Sequence, residues 1–141
     1  MGHLSDRRKA RMAVLEILYQ LEMSGYPLEK ILTESLYSER YQPLSDFARR
    51  LLDGVIAHTS KIEALIEDNA EKWAVSRMPL VDLNVMRLAV YELVFEPDIP
   101  TNVSINEAVE LARVFGGQDS AKFVNGVLGK IALESKGGKV E

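Results

Sequence analysis

The stretch LVDLNVMRLAVYELVF, residues 80–95, reads as a helix with apolar side chains on nearly every side. Val81, Val85, Met86, Leu88, Ala89, Val90 and Leu93 point in several directions once wound at 3.6 residues per turn. Such a helix must be central and buried, so the rest of the chain must supply its neighbours. Pro97 and Pro100 end it. Downstream, Ser104-Ile105-Asn106-Glu107 matches a capping box, in which the Ser and Glu side chains satisfy unpaired backbone donors. Ile105, Ala108, Val109, Ala112 and Phe115 carry that helix to Gly116-Gly117, a C-terminal stop. A last helix is expected from near Asp119, with Val124, Val127, Leu128 and Ile131 as its buried stripe and a polar end, 135–141, that frays.

Upstream, Asp6 reads as an N-cap, followed by Val14, Ile17, Leu18 and Leu21 at spacings of three and four, up to Gly25 and Pro27. Leu28, Ile31, Leu32, Ser35 and Leu36 repeat the period in a shorter helix, closed by Tyr41-Gln42-Pro43. A long third helix is expected from Leu44 through Phe47, Ala48, Leu51, Leu52, Val55, Ile56, Thr59 and Ile62 to Ile66, with Gly54 inside it at a cost of ~1 kcal/mol. From Asn69 to Met78 the pattern breaks around Trp73; a short helical turn is expected there, and Pro79 suits a first helical position. No segment alternates with period two. The predicted fold is all-α, two small helix bundles of about seven helices in one compact domain, with an N-terminal bundle at about 6–70, a C-terminal bundle at about 71–133 and a flexible tail at 134–141.

A chain of 141 residues that is 47% hydrophobic can bury a single core without staples. It has no cysteine, which excludes disulfides and thiolate metal sites and suits a reducing compartment. No apolar run approaches the ~20 residues of a membrane helix, and no apolar segment follows the N-terminal charges as in an export signal, so a cytoplasmic protein is expected. Catalysis finds no foothold: His58 has no paired ligand, the acids are spread as surface charge, and no nucleophile motif occurs. Neither enzyme activity nor a metal or cofactor is expected.

The net charge of −4 hides an asymmetry, because Arg7, Arg8, Lys9 and Arg11 face only Asp6 within the first eleven residues. Cations at a helix N-terminus oppose the macrodipole. By itself the cluster fits a solvated helix start as well as an arm for a phosphate backbone. In Gly116 to Phe123, backbone N–H groups, Ser120 and Lys122 suit a phosphate and Phe123 suits stacking on a base, while Asp119 opposes an anion. On local physics an ordinary helix turn with Phe123 in the core is the stronger reading of that segment. Met12, Leu15, Tyr19 and Met23 form a second apolar stripe on the first helix, facing a partner, a second copy or, slightly better supported, its own bundle. Asp82 and Asn84 interrupt the apolar central helix as part of a docking surface or as a solvent-facing strip.

The segment SINEAVELARVFGGQDSAKFVNGVL, residues 104–128, resembles the C-terminal signature of the NusB family of bacterial transcription antitermination factors. The likeness extends to NVMRLAVYEL at 84–93, to Asp98-Ile99-Pro100 and to RRKARMAVLEILYQ at 7–20, covering about 6–133. It implies a fold of two packed helical bundles and an adaptor that binds boxA RNA of ribosomal RNA leaders. The implied protein partner is NusE, a small-subunit ribosomal protein, and the pair joins the elongating RNA polymerase to suppress termination. Position by position, it implies RNA contacts for Arg7, Arg8, Lys9, Arg11, Lys122 and Phe123, with Asp119 near the RNA and repelling it, and with Ser120 beside them. It places Tyr19 and Asp82, with Leu15 and Ser76, toward NusE; Asp82 is one methylene shorter than the Glu of some relatives, and Ser76 is neutral where some carry an acid. Two other readings remain: a self-associating helical protein, since some relatives form homodimers, and the NusB-like domain that precedes an RNA cytosine methylase, here without a methyltransferase unit.

Overall fold

A computed structural model of the chain describes residues 3–34, 44–71 and 73–140, with side chains for 6–34, 44–71 and 73–134. Among the described residues there are seven α-helices, one 3-10 turn and no strand, so the fold is all-α as expected. In chain order they are α1 (His3–Ser24), α2 (Leu28–Glu34), α3 (Asp46–Ala57), α4 (Thr59–Asn69), the 3-10 turn Val75–Arg77, α5 (Leu80–Phe95), α6 (Thr101–Gly116) and α7 (Gln118–Val140). The chain divides into two compact units, 1–53 and 54–141, whereas the sequence placed the division near residue 70. The difference is α4, which packs on α5 and α7. The expected end of the second helix at Ser35, Leu36 and Tyr41-Gln42-Pro43 lies outside the described residues.

In the first unit α1 packs on α2. Val14, Ile17 and Leu18 on α1, Ile31 and Leu32 on α2, and Ala48, Leu51 and Leu52 on α3 are buried, as the period predicted. Asp6 is not an N-cap: α1 begins at His3, which puts Asp6 in the first turn, where its charge complements the macrodipole. Gly25, at φ 72°, ends α1, and its N–H donates to the Leu21 carbonyl at 3.0 Å. Ser45 caps α3 by accepting the Ala48 N–H at 3.1 Å. Arg49 ties α3 to α2, pairing with Asp53 at 3.1 Å and Glu29 at 3.2 Å. The Asp53 hydrogen bond, then that of Glu29, holds its guanidinium above its ordinary pKa. Both pairs are largely exposed, so each adds at most about 1 kcal/mol.

In the second unit α5 is central and packs on α4, α6 and α7. Every residue from Asp82 to Leu93 except Arg87 is buried on it. The expected long helix over 44–66 is two helices, separated at His58 (φ −116°, ψ 24°). There the Thr59 hydroxyl donates back to the Val55 carbonyl at 2.9 Å, a local bond that competes with the ladder, and the His58 ring stacks on Phe95 at 4.0 Å. The capping box at Ser104 is also corrected. The helix starts four residues earlier, after Pro100, which leaves Ser104 inside α6 with its hydroxyl donating to the buried Glu92 carboxylate at 2.7 Å. Pro79 precedes the first helical residue of α5, and its carbonyl accepts the Leu83 N–H at 2.9 Å. Gly117 (φ 95°) stops α6 as expected, and the backbone of α7 runs on to Val140, through the polar stretch where an early end was expected.

Candidate nucleic-acid interface

Helix α1 presents Arg7, Arg8 and Lys9 as exposed cations, but Arg11 is 2% exposed. The residue that organises them is Phe47 of α3. Arg7 Cζ lies 4.2 Å from its ring centroid, Arg11 Cζ 5.4 Å and Arg50 Cζ 5.5 Å, so three guanidinium groups gather around one aromatic ring. The ring's quadrupole offsets part of the repulsion among them and holds the charge in one place. In the sequence Phe47 reads only as core, and Arg50 stands apart from the basic run. Their spacing of three on α3 was the available signal.

In the second unit, the α6–α7 corner carries the other expected group. Asp119 and Lys122 are exposed. Ser120 donates its hydroxyl to the Gly116 carbonyl at 3.3 Å, an exposed bond that closes the corner. Phe123 is half-buried, neither core nor free surface, and meets Trp73 edge-to-face with ring centroids 5.2 Å apart. These two rings, with Lys122, Gly126, Lys130 and Glu71, border a groove of about 700 Å³. Trp73 and Lys130 were missed from sequence, although Lys122, Gly126 and Lys130 recur every four residues and so share one helix face.

A third surface lies on the first unit, where Tyr19 is 46% exposed, Met23 65% and Tyr26 53%. They border a cavity of about 310 Å³ together with Gln20, Ser24 and Lys30, and the Lys30 ammonium lies 4.7 Å from the Tyr26 ring centroid. Leu15 of the same helix is 6% exposed and belongs to the core.

The sequence model of the NusB family matches residues 8–133. The chain belongs to the NusB family. The transcription antitermination protein NusB of Oceanobacillus iheyensis is 44% identical over 126 residues, covering 89% of this chain and 98% of that protein. That of Geotalea uraniireducens is 42% identical over 139 residues, covering 92% and 95%. A structure of T. maritima NusB has 45% identity and a TM-score of 0.80, covering 91% of each chain. A structure of antitermination factors NusB and NusE in complex with dsRNA has 26% identity and a TM-score of 0.81, covering 94% of this chain and 99% of that one.

Of the residues that the family resemblance turned toward a protein partner, Tyr19 and Ser76 are exposed, while Leu15 and Asp82 are buried in this chain. Asp82 and Asn84 do not form a solvent-facing strip, because α5 is enclosed on all sides: they are 4% and 1% exposed. Asn84 Oδ1 accepts from Arg87 at 2.8 Å. Asp82 Oδ1 is buried without a hydrogen-bond partner, close to Gly116 at the α6–α7 corner. No helix among the described residues is long and apolar enough to cross a membrane.

Proposed function

We propose that this NusB-family chain is an RNA-binding antitermination adaptor. It binds boxA RNA together with NusE and carries both to the elongating RNA polymerase in the cytoplasm, suppressing premature termination by binding alone, without chemistry of its own. The observation that carries the RNA part is the exposed Arg7-Arg8-Lys9 run on α1, which Arg50 joins around the Phe47 ring. Cations massed in one place repel one another, and a polyanion compensates them. The related NusB solved with NusE and dsRNA supports the same reading. In this reading the arm supplies salt-dependent affinity, and Phe123 with Lys122 selects unstacked bases, against a small repulsion from Asp119.

The test is fluorescence anisotropy of labelled boxA RNA and a scrambled control at several salt concentrations. Arg8→Ala with Lys9→Ala, both exposed, should lower the slope of log affinity against log salt by roughly 1.4, at about 0.7 per lost phosphate contact. An unchanged slope removes the arm from the interface. Arg11 is a poor target, since its burial over Phe47 makes any substitution a packing change as well.

Tyr19, Met23 and Tyr26 are assigned to the NusE contact, being exposed apolar side chains around a shallow cavity. Tyr19→Ala should cost about tenfold in NusE affinity and leave RNA binding measured without NusE unchanged. A shift from dimer to monomer in size-exclusion mass measurement of that variant would assign the surface to a second copy instead.

A further inference from the structure

We propose that the groove between Trp73 and α7 is a single-nucleotide subsite, with a base stacked against the aromatic corner of Trp73 and Phe123 and the backbone phosphates drawn to Lys122 and Lys130 across Gly126. This rests on the RNA-binding reading above and adds to it the residues that hold one nucleotide.

Three features of the groove point to such an occupant. First, its wall is preset. Glu71, two positions before Trp73, holds a left-handed φ of 54° that a side chain resists, and strained backbone of this kind persists where the surroundings enforce it. The Trp73 backbone N–H donates to the Ala70 carbonyl at 3.0 Å, and the Val75 backbone N–H donates to the Glu67 carboxylate at 2.8 Å, so the backbone that carries the indole is tethered at Trp73 and at Val75. The indole nevertheless stays 38% exposed. Its ring plane meets that of Phe123 at 71°, making a corner in which a flat ligand stacks on one ring and meets the other edge-on.

Second, the floor is a glycine that the fold does not need. Gly126 lies in the interior of α7, where glycine is among the poorest helix formers, and a Cβ built there would meet nothing within 4 Å. Packing within the protein therefore gives no reason for its missing side chain. Its effect is an open strip of helix backbone at the base of the groove, where a ligand can approach closely.

Third, cations flank that strip. Lys122 and Lys130 lie one turn to either side of Gly126 on the same face, about 12 Å apart along the axis. The ion pair of Lys130 with Glu71 is long, at 3.9 Å, and its side chains are 53% and 87% exposed, so exchanging the carboxylate for a phosphate costs little. Aromatic faces with lysines on both sides match a stacked base and its phosphates better than an apolar peptide, which would leave the lysines without anions.

Trp73 is the chain's sole tryptophan, so its emission reports this groove alone. The unaltered protein, without NusE, is titrated with a boxA oligoribonucleotide while Trp73 emission and the anisotropy of the labelled RNA are both followed. Quenching of Trp73 with the same midpoint as the anisotropy is expected. Gly126→Gln, which fills the floor of the groove, should bind the RNA about tenfold more weakly while melting no lower than the parent. RNA that binds by anisotropy with Trp73 emission unchanged overturns the subsite and leaves the RNA reading intact. RNA that fails to bind at all overturns both. Quenching by NusE but not by RNA would make the groove a protein contact and equally overturn the proposal. If Gly126→Gln does not fold, the quenching measurement on the unaltered protein decides alone.

Discussion

Gly54→Ala is expected to destabilise the protein by about 2 kcal/mol, the reverse of its effect in an unobstructed helix. A Cβ at Gly54 would lie within 3.0 Å of three carbons of the Tyr91 ring, closer than real side chains approach. Tyr91 has no room to yield. It is 7% exposed, its hydroxyl donates to the buried Glu96 carboxylate at 2.8 Å, and its ring stacks with Phe95 at 5.5 Å and His58 at 6.5 Å. Overlap with three ring carbons that cannot move puts the overpacking cost near the top of the usual range, at about 3 kcal/mol, and the gain of ~1 kcal/mol in helix propensity leaves about 2 kcal/mol of loss. Urea denaturation should show a lower midpoint at an unchanged slope. Gly126→Ala on α7 is the matched control. With open space where its Cβ would lie, it should keep the propensity gain and raise the melting temperature by about 3 °C. If both substitutions stabilise, α3 and α5 do not approach as closely as the ring contact requires.

Arg87→Ala is expected to cost about 3 kcal/mol, the larger effect of a polar group on this fold. Arg87 interrupts the buried run of α5, and its guanidinium binds Glu63 and Asn84. Nε and Nη2 donate to Glu63 Oε2 of α4 at 3.0 and 2.6 Å, and Nη1 donates to Asn84 Oδ1 at 2.8 Å. With side-chain exposures of 14% for Arg87 and 23% for Glu63, water cannot fully replace what is lost. Asn84, 1% exposed, would lose this donor to its amide oxygen. Arg87→Lys should recover only a minor part, since one ammonium on a flexible stem does not reproduce a planar fork. Glu63→Gln should cost about 1 kcal/mol, because the amide oxygen still accepts. A loss below about 1 kcal/mol for Arg87→Ala in equilibrium unfolding would mean that the α4–α5 contact does not depend on this group.

Much of the buried surface was legible beforehand because helical burial follows spacing. Val14, Ile17 and Leu18 on α1 and Val124, Val127, Leu128 and Ile131 on α7 are buried where the period put them. The apolar run at 80–95 announced a central helix and is one. The errors share a different character. Ser104 and Glu107 carry the residues of a capping box, yet Pro100 starts the helix a turn earlier and Ser104 is used by Glu92 twelve residues away. Asn84 and Asp82 looked like surface because they are polar, and only the enclosure of α5 shows that they are buried.

The candidate interface divides in the same way. The basic run at 7–11 is visible as charge, but its arrangement around Phe47 is not, because no local pattern links a helix start to a ring almost forty residues on. Phe123 could be named as a stacking side chain and Trp73 as the aromatic where the period breaks, but no local pattern pairs two rings so far apart in the chain.

Sequence alone thus determined the all-helical class, the identity of the central helix and the faces that turn inward, since each depends on residues within a turn or two of one another. Tertiary structure decided which buried polar groups satisfy each other, which glycine is crowded and which is open, and which aromatic ring stands beside which cation. Those depend on atoms brought together from far apart in the chain, where the outcome is set by packing and not by the period of any one helix.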